Sequence, residues 1–308
     1  MSISSVLRLS EVQLRVMDMG ESREHYGDRM GLIETMVDDN GLVYYKAWDE
    51  KDHHSVILRE SDRPGMDHLA FKVHNDATLD ELKIKINDFG IDVEEVAAGV
   101  YPKSGRRLKL HLPTGQEMHL FAEKEYVGNT LGTVNPGVIP DEGVCRGFRI
   151  NGLDHCLIAG PNIEENARLF TEALGFGLSE QIVTEDGTPV VMFLSCSSRV
   201  HDVAFVLQPE PGLLHHVSFR LDSVQDHVHA SDLIGKYRIP VEITDRHGVT
   251  RVKTVYFFDP SGNRNEIFCE GYTWYPDYPT LTWTMDNLGE AAFAQTHHVP
   301  QSFMDTYT

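Results

Sequence analysis

A short pattern of residues recurs half a chain apart. Met66-Asp67-His68-Leu69-Ala70-Phe71 matches Leu214-His215-His216-Val217-Ser218-Phe219, and Leu112-Pro113-Thr114-Gly115 with Leu120-Phe121 matches Asp259-Pro260-Ser261-Gly262 with Ile267-Phe268. Met30-Gly31-Leu32 and Leu174-Gly175-Phe176 fall at equivalent points earlier in each half. Such repetition constrains the fold strongly, because a recurring unit must bury its apolar face against its copies.

Each unit reads as a strand, a helix and then two or three strands. In the first, a strand over 11–16 leads to a helix from about Asp18 to Met30, closed by Gly31, and to strands over 42–48 and 55–59. The second has a strand over 67–73, a helix capped near Thr78 with Leu79, Leu82, Ile86 and Phe89 at helical spacing, and strands over 93–97, 107–111 and 117–122. A Gly- and Pro-containing connection over 135–147 separates the halves. Beyond it come a strand over 152–158, a helix with Asn162 as N-cap and Glu165 completing a capping box, and strands over 190–195 and 204–207. A fourth unit starts with a strand over 215–221 and a helix over 223–235, and ends on a hairpin whose turn is Asp259-Pro260-Ser261-Gly262-Asn263. The order predicts an α+β fold of four βαβββ modules paired into two domains, 1–145 and 146–271. Residues 272–308, with a helix expected over 287–294, form an extension packed on the second domain.

Charge narrows the partners. With 27 basic against 47 acidic residues, net −20, and no basic stripe, the chain is unsuited to gripping nucleic acid. No apolar run reaches the roughly 20 residues of a membrane span, and the first residues lack a secretory core, so a cytoplasmic location is expected. Cys145, Cys156, Cys196 and Cys269 show no metal-binding spacing and are expected to be buried small apolar groups.

The chemistry concentrates in the second half. His155 and His216 open equivalent strands of paired units, and Glu266 lies on the closing strand. Strand alternation puts His215 with Val217, Phe219 and Leu221, which should pack under the helices, and turns His216 toward a polar cavity. The apolar flanks of His155 and Glu266 leave their direction open. Two imidazoles and one carboxylate with open positions are the ligand set of non-haem iron(II) oxygenases, so iron(II) is expected between His155, His216 and Glu266.

The run from His247 through Val255-Tyr256-Phe257-Phe258-Asp259-Pro260-Ser261-Gly262 to Glu266 resembles the signature of extradiol ring-cleavage dioxygenases, and the likeness extends over nearly the whole chain. Asp245, two residues before His247, departs from the small, Thr/Asn-type or aliphatic residue usual there. The resemblance implies a vicinal oxygen chelate fold, shared with glyoxalases and bleomycin-resistance proteins, with iron in the second domain alone. It implies a catechol-type substrate and dioxygen, meta cleavage to 2-hydroxymuconate semialdehyde, and a homotetramer. It also implies that His201 is an acid/base at the bound oxygen, that His247 holds the substrate oxygen and that Tyr256 donates to the catecholate. The first-half positions matched to the ligands are Gln13, His68 and His119, and glutamine is a poor iron ligand, so the first domain is expected to hold no metal. Two rivals share the fold: an oxygen-independent isomerase or epimerase using another ion, and a non-catalytic binding module, which need not keep the His155, His216, Glu266 set.

Overall fold

The structure is a computed structural model that describes residues 5–128 and 145–308. The first module is β1 (Val6–Val16), α1 (Met19–Arg23, running on as a π turn over Glu24–Arg29), β2 (Ile33–Val37), β3 (Val43–Lys46) and β4 (Val56–Glu60). The second is β5 (Gly65–Val73), α2 (Asp76–Phe89), β6 (Glu94–Val96), β7 (Arg107–His111) and β8 (Glu117–Phe121). The second half repeats the plan with β9 (Gly152–Gly160), α3 (Ile163–Arg168, with a π turn over Leu169–Ala173), β10 (Gly177–Val183), β11 (Pro189–Ser195) and β12 (Val203–Leu207). Its last module is β13 (Leu213–Arg220), α4 (Val224–Tyr237), β14 (Val241–Arg246), β15 (Val252–Phe258) and β16 (Arg264–Glu270). The extension adds β17 (Leu281–Thr284), α5 (Leu288–Ala292) and α6 (Gln301–Asp305).

The four-module order expected from the repeats is therefore present, with three strands after every helix. The strands β2, β10, β14 and β17 escaped the sequence reading. Gly31 and Gly90 close their helices at φ +88° and +101°, a conformation that costs glycine little. The second helix is capped by Asn75 rather than Thr78, whose amide donates to Asn75 Oδ1. Asn162 precedes α3 in a left-handed conformation and makes no side-chain cap, so the expected capping box is not formed. The connection over 135–147 lies mostly outside the described residues.

Each half is one mixed sheet. Their orders are β2-β3-β4-β1-β5-β8-β7-β6 and β14-β15-β16-β13-β9-β12-β11-β10-β17. In both, the first strands of the two modules pair antiparallel at the centre, and the fourth strand of each module lies parallel to its own first strand. This doubling generates two equivalent concave faces. Leu79, Leu82 and Ile86 form the buried stripe of α2, and Phe71 packs edge-on against Phe170 and Phe176 to join the cores.

The repeated turns are exchanged between the halves. The Asp259–Asn263 turn reaches into the first half, where Asp259 accepts from Tyr26 Oη at 3.0 Å, Ser261 Oγ from Met17 N at 2.8 Å and Asn263 Oδ1 from Gly65 N at 2.8 Å. The turn around Thr114 reaches the other way: Gln116 Nε2 donates to Ala159 O and Leu213 O at 2.7 and 2.9 Å. Among the described residues no helix is long and apolar enough to cross a membrane.

Candidate metal centre

The central strands of the second half bring three expected ligands together. Ser218 on β13 pairs with His155 on β9 and, on its other side, with Glu266 on β16, so His155, His216 and Glu266 enter the concave face from adjacent strands. All three are buried, and their donor atoms lie within 4.8 Å of one another. Glu266 Oε2 is 3.1 Å from His155 Nε2 and 3.4 Å from His216 Nε2, yet accepts no hydrogen bond of proper geometry. A buried carboxylate oxygen without a hydrogen bond costs stability unless a cation completes it. The donor set therefore fits a divalent metal.

Hydrogen bonds behind the ligands set their tautomers. His155 Nδ1–H donates to Asp154 Oδ1 at 3.0 Å, which turns Nε2 inward. For His216 the control is relayed: the Phe303 carbonyl can only accept, so His215 Nε2 is the protonated nitrogen of that 2.9 Å bond. Burial pushes the His215 pKa well below its ordinary value, so the ring is neutral and its Nδ1 accepts from His216 Nδ1 at 2.7 Å. His216 Nε2 is then left with a lone pair directed at the centre. Thr254 Oγ1 donates to Glu266 Oε1 at 2.6 Å and leaves Oε2 to the cluster. Burial opposes protonation of His155, but its bond to Asp154 and the nearby charge of Glu266 push it up to about 9, whereas burial takes His216 down to about 4.

His201, His247 and Tyr256 are gathered at the same cavity, which has a volume of about 310 Å³ and apolar walls that include Val191, Phe193, Val249 and Leu288. His201 stands on the His155 side, its ring 4.0 Å from His155 and 5.1 Å from Phe193. Burial first, and then the charge of His155, hold its pKa well below 6.5. Tyr256 stands on the His216 side at 5.1 Å, and its hydroxyl donates to His247 Nε2 at 2.9 Å. His247 Nδ1 donates to the Ala292 carbonyl, and its ring stacks on Phe293 at 5.4 Å.

Several contributors were missed. His215 does not pack under the helices; a bulge between Leu214 and His216 breaks the alternation and sends it to the C-terminal segment. Asp154 carried a signal, as a carboxylate adjoining a candidate ligand, and Thr254 lay two residues before Tyr256 on one strand face. Glu180 carried none, because its strand was not recognised. It is buried and accepts from Thr250 N, Tyr272 Oη and Trp283 Nε1, each at 2.8 Å. That bond steadies a loop in which Thr250 and Arg251 both have positive φ, at 56° and 61°.

The first half corrects one match. Ala70 pairs with Glu11 on β1 and with His119 on β8, so by register the counterparts of His155, His216 and Glu266 are Glu11, His68 and His119. Gln13 lies two residues on and donates to Asp67. The charge a metal would bring is supplied there by side chains. Arg107 donates to both oxygens of Glu11 at 2.6 and 2.9 Å, and Lys124 Nζ adds a contact at 2.6 Å. A neighbouring group, His68, Glu117 and His119, also has converging donor atoms, but Lys109 lies 3.0 Å from Glu117 and Arg107 3.4 Å from His119.

Sequence comparison agrees with this architecture. Residues 66–125 match the catechol 2,3-dioxygenase-like N-terminal domain, and residues 152–267 match the glyoxalase/bleomycin resistance protein/dioxygenase superfamily. Over 305 residues the chain is 43% identical to the metapyrocatechase of Pseudomonas sp. strain CF600, covering 98% of this chain and 99% of that one. The chain belongs to the metapyrocatechase family of extradiol dioxygenases. Within that family, the crystal structure of the 2,3-dioxygenase LapB from Pseudomonas sp. KL28 superposes with a TM-score of 0.90 at 44% identity, covering 93% of this chain and all of that one. A manganese-dependent 2,3-dihydroxybiphenyl 1,2-dioxygenase of Geobacillus genomosp. 3 is 25% identical over 298 residues, 93% of each chain.

Proposed function

We propose that this chain opens the ring of catechol and simple substituted catechols beside the diol, adding both atoms of dioxygen to give 2-hydroxymuconate semialdehyde. His155, His216 and Glu266 would hold one iron(II), which supplies a site where diol and dioxygen bind next to each other. The observation that carries this reading is Glu266 Oε2, buried without a hydrogen bond between two imidazole nitrogens at the floor of an apolar cavity.

The chain's own groups divide the work by side. His247, with its proton held on Nδ1 by the Ala292 carbonyl, offers the lone pair of Nε2 to a diol hydroxyl in exchange for the Tyr256 hydroxyl that meets it in this structure. Tyr256, whose pKa is raised well above 10 by burial and by Glu266, stays protonated and donates to the catecholate oxygen. His201 is neutral on the opposite side, suited to exchange a proton with the oxygen that attacks the ring. The apolar walls exclude water from the reacting carbons. In the first half Arg107 and Lys124 stand where an ion would, which supports a single metal per chain.

The test is to strip the protein of metal, reload it without air using iron(II) or manganese(II), and add catechol in air. Iron-dependent oxygen uptake with yellow semialdehyde is expected. Turnover without oxygen uptake would favour the isomerase reading, and activity restored by manganese alone would overturn iron. Family resemblance further supports a homotetramer, which a monomer mass in sedimentation velocity would refute.

A further inference from the structure

Asp245, the residue that departs from the family pattern, is buried on β14 and satisfied entirely by amide and hydroxyl donors. Its Oδ1 accepts from Arg246 N at 2.6 Å and Gln295 N at 3.0 Å, and its Oδ2 from Thr296 N at 3.2 Å and Thr296 Oγ1 at 2.6 Å. Three of these donors belong to the stretch that follows α5. Asp245 does not border the cavity, and its register partner Thr254 stands between it and Glu266. It reaches the chemistry by another route.

The stretch over 291–296 runs beside the loop over 245–249 and is fastened at both ends. At one end the Ala291 carbonyl accepts from Gly248 N and Val249 N at 3.0 and 2.9 Å. Gly248 is needed for this approach, since a Cβ there would lie 2.3 Å from Glu290 O. At the other end is Asp245, and Ala294 N donates to Arg246 O at 2.7 Å between them. The two groups that hold the His247 ring, the Ala292 carbonyl at Nδ1 and Phe293 against its face, sit in the suspended middle.

We propose that Asp245 is a positioning residue for His247: by anchoring Gln295 and Thr296 it keeps the Ala292 carbonyl on Nδ1 and so keeps Nε2 an acceptor, met by Tyr256 Oη in this structure and by the diol when substrate is bound. This rests on the reading that His247 meets a diol oxygen. Without the anchor the stretch can swing away, and His247 loses both the acceptor that selects its tautomer and the ring that fixes its plane. Misplacement of a reacting group by about 1 Å can cost about 100-fold in rate.

The experiment uses full-length, iron-loaded protein and measures kcat, iron content and anaerobic catechol affinity for Asp245→Ala, His247→Asn and the double variant. Asp245→Ala should lower kcat about 10–100-fold with iron and catechol binding retained, and should have little further effect in the His247→Asn background. Thr296→Val, which keeps the carboxylate and removes one donor, should lower kcat about 2–10-fold and should likewise be silent in that background. Unchanged kcat in Asp245→Ala and Thr296→Val, loss of iron in either, or an equal loss with and without His247 would overturn the proposal. A wild-type protein that does not turn over catechol would instead refute the function on which it rests.

Discussion

Replacing Arg107 by methionine tests whether the first half is held together by charge where the second half is built for an ion. Methionine fills much of the volume but leaves the fully buried Glu11 carboxylate with Lys124, His54 and His68. Removing one partner of a buried ion pair costs about 3–5 kcal/mol. At about 2–4 °C per kcal/mol for a domain of this size, the unfolding midpoint should drop roughly 6–20 °C. The pH dependence sharpens the test. Burial would raise the Glu11 pKa, but Arg107 and Lys124, with bonds from both histidines, hold it well below 4.5. Its contribution is therefore complete above about pH 4.5 and lost as the pH falls through the folded value. In Arg107→Met the burial effect is less opposed and the folded pKa rises, so the deficit should be full at neutral pH and shrink as the pH falls through the raised folded pKa of the variant toward that of the wild type. Thermal unfolding of metal-free protein followed by circular dichroism measures this directly, and iron content and kcat of the folded variant should stay near wild type. A drop under 2 °C, or one that does not vary with pH, would refute the reasoning.

Three further outcomes are expected. His216→Ala and Glu266→Ala should each purify without bound iron, as elemental analysis would show, because the remaining two ligands cannot retain a labile ion. His201→Asn should keep iron and catechol binding but lose about 10²–10⁴-fold in kcat, the usual size of a general acid/base contribution; loss of its iron would reassign the residue. Asp67, held down to about 2 by Arg59, Gln13 and Arg15 against the raising effect of burial, should contribute about 1–2 kcal/mol. That stability is present above about pH 4 and fades toward pH 2, so in urea titrations the deficit of Asp67→Asn should vanish at the acid end.

The module order is legible because apolar alternation and the repeated turns are local signals, whereas the convergence of His155, His216 and Glu266 follows from equivalent placement in the repeats and not from alternation, which leaves His155 and Glu266 undirected. The missing strands lie where that signal fails. The burial of β2 never alternates cleanly, and β17 takes its place beside β10, a hundred residues earlier in the chain. The mismatch of Gln13 with His155 is one of strand register: Glu11 pairs with Ala70 as His155 pairs with Ser218, and that pairing, which places the match two residues earlier, is read from the sheet rather than from the chain. The same physics hid His215, whose contact with the Phe303 carbonyl spans 88 positions. Asp245 could be flagged from sequence as unusual, but its donors lie 50 residues downstream.

The exchanged turns change how the Asp-Pro-Ser-Gly-Asn stretch should be understood. It reads like a catalytic signature, yet its polar atoms clasp Tyr26, Met17 and Gly65, and the strand that bears Glu266 begins directly after it. A mutation at Tyr26, which does not line the cavity, would loosen the clasp at the base of that strand. Cutting the protein into separate halves would leave both turns without a socket, so the duplicated plan now works as a single interlocked body whose quieter half is the frame for the other.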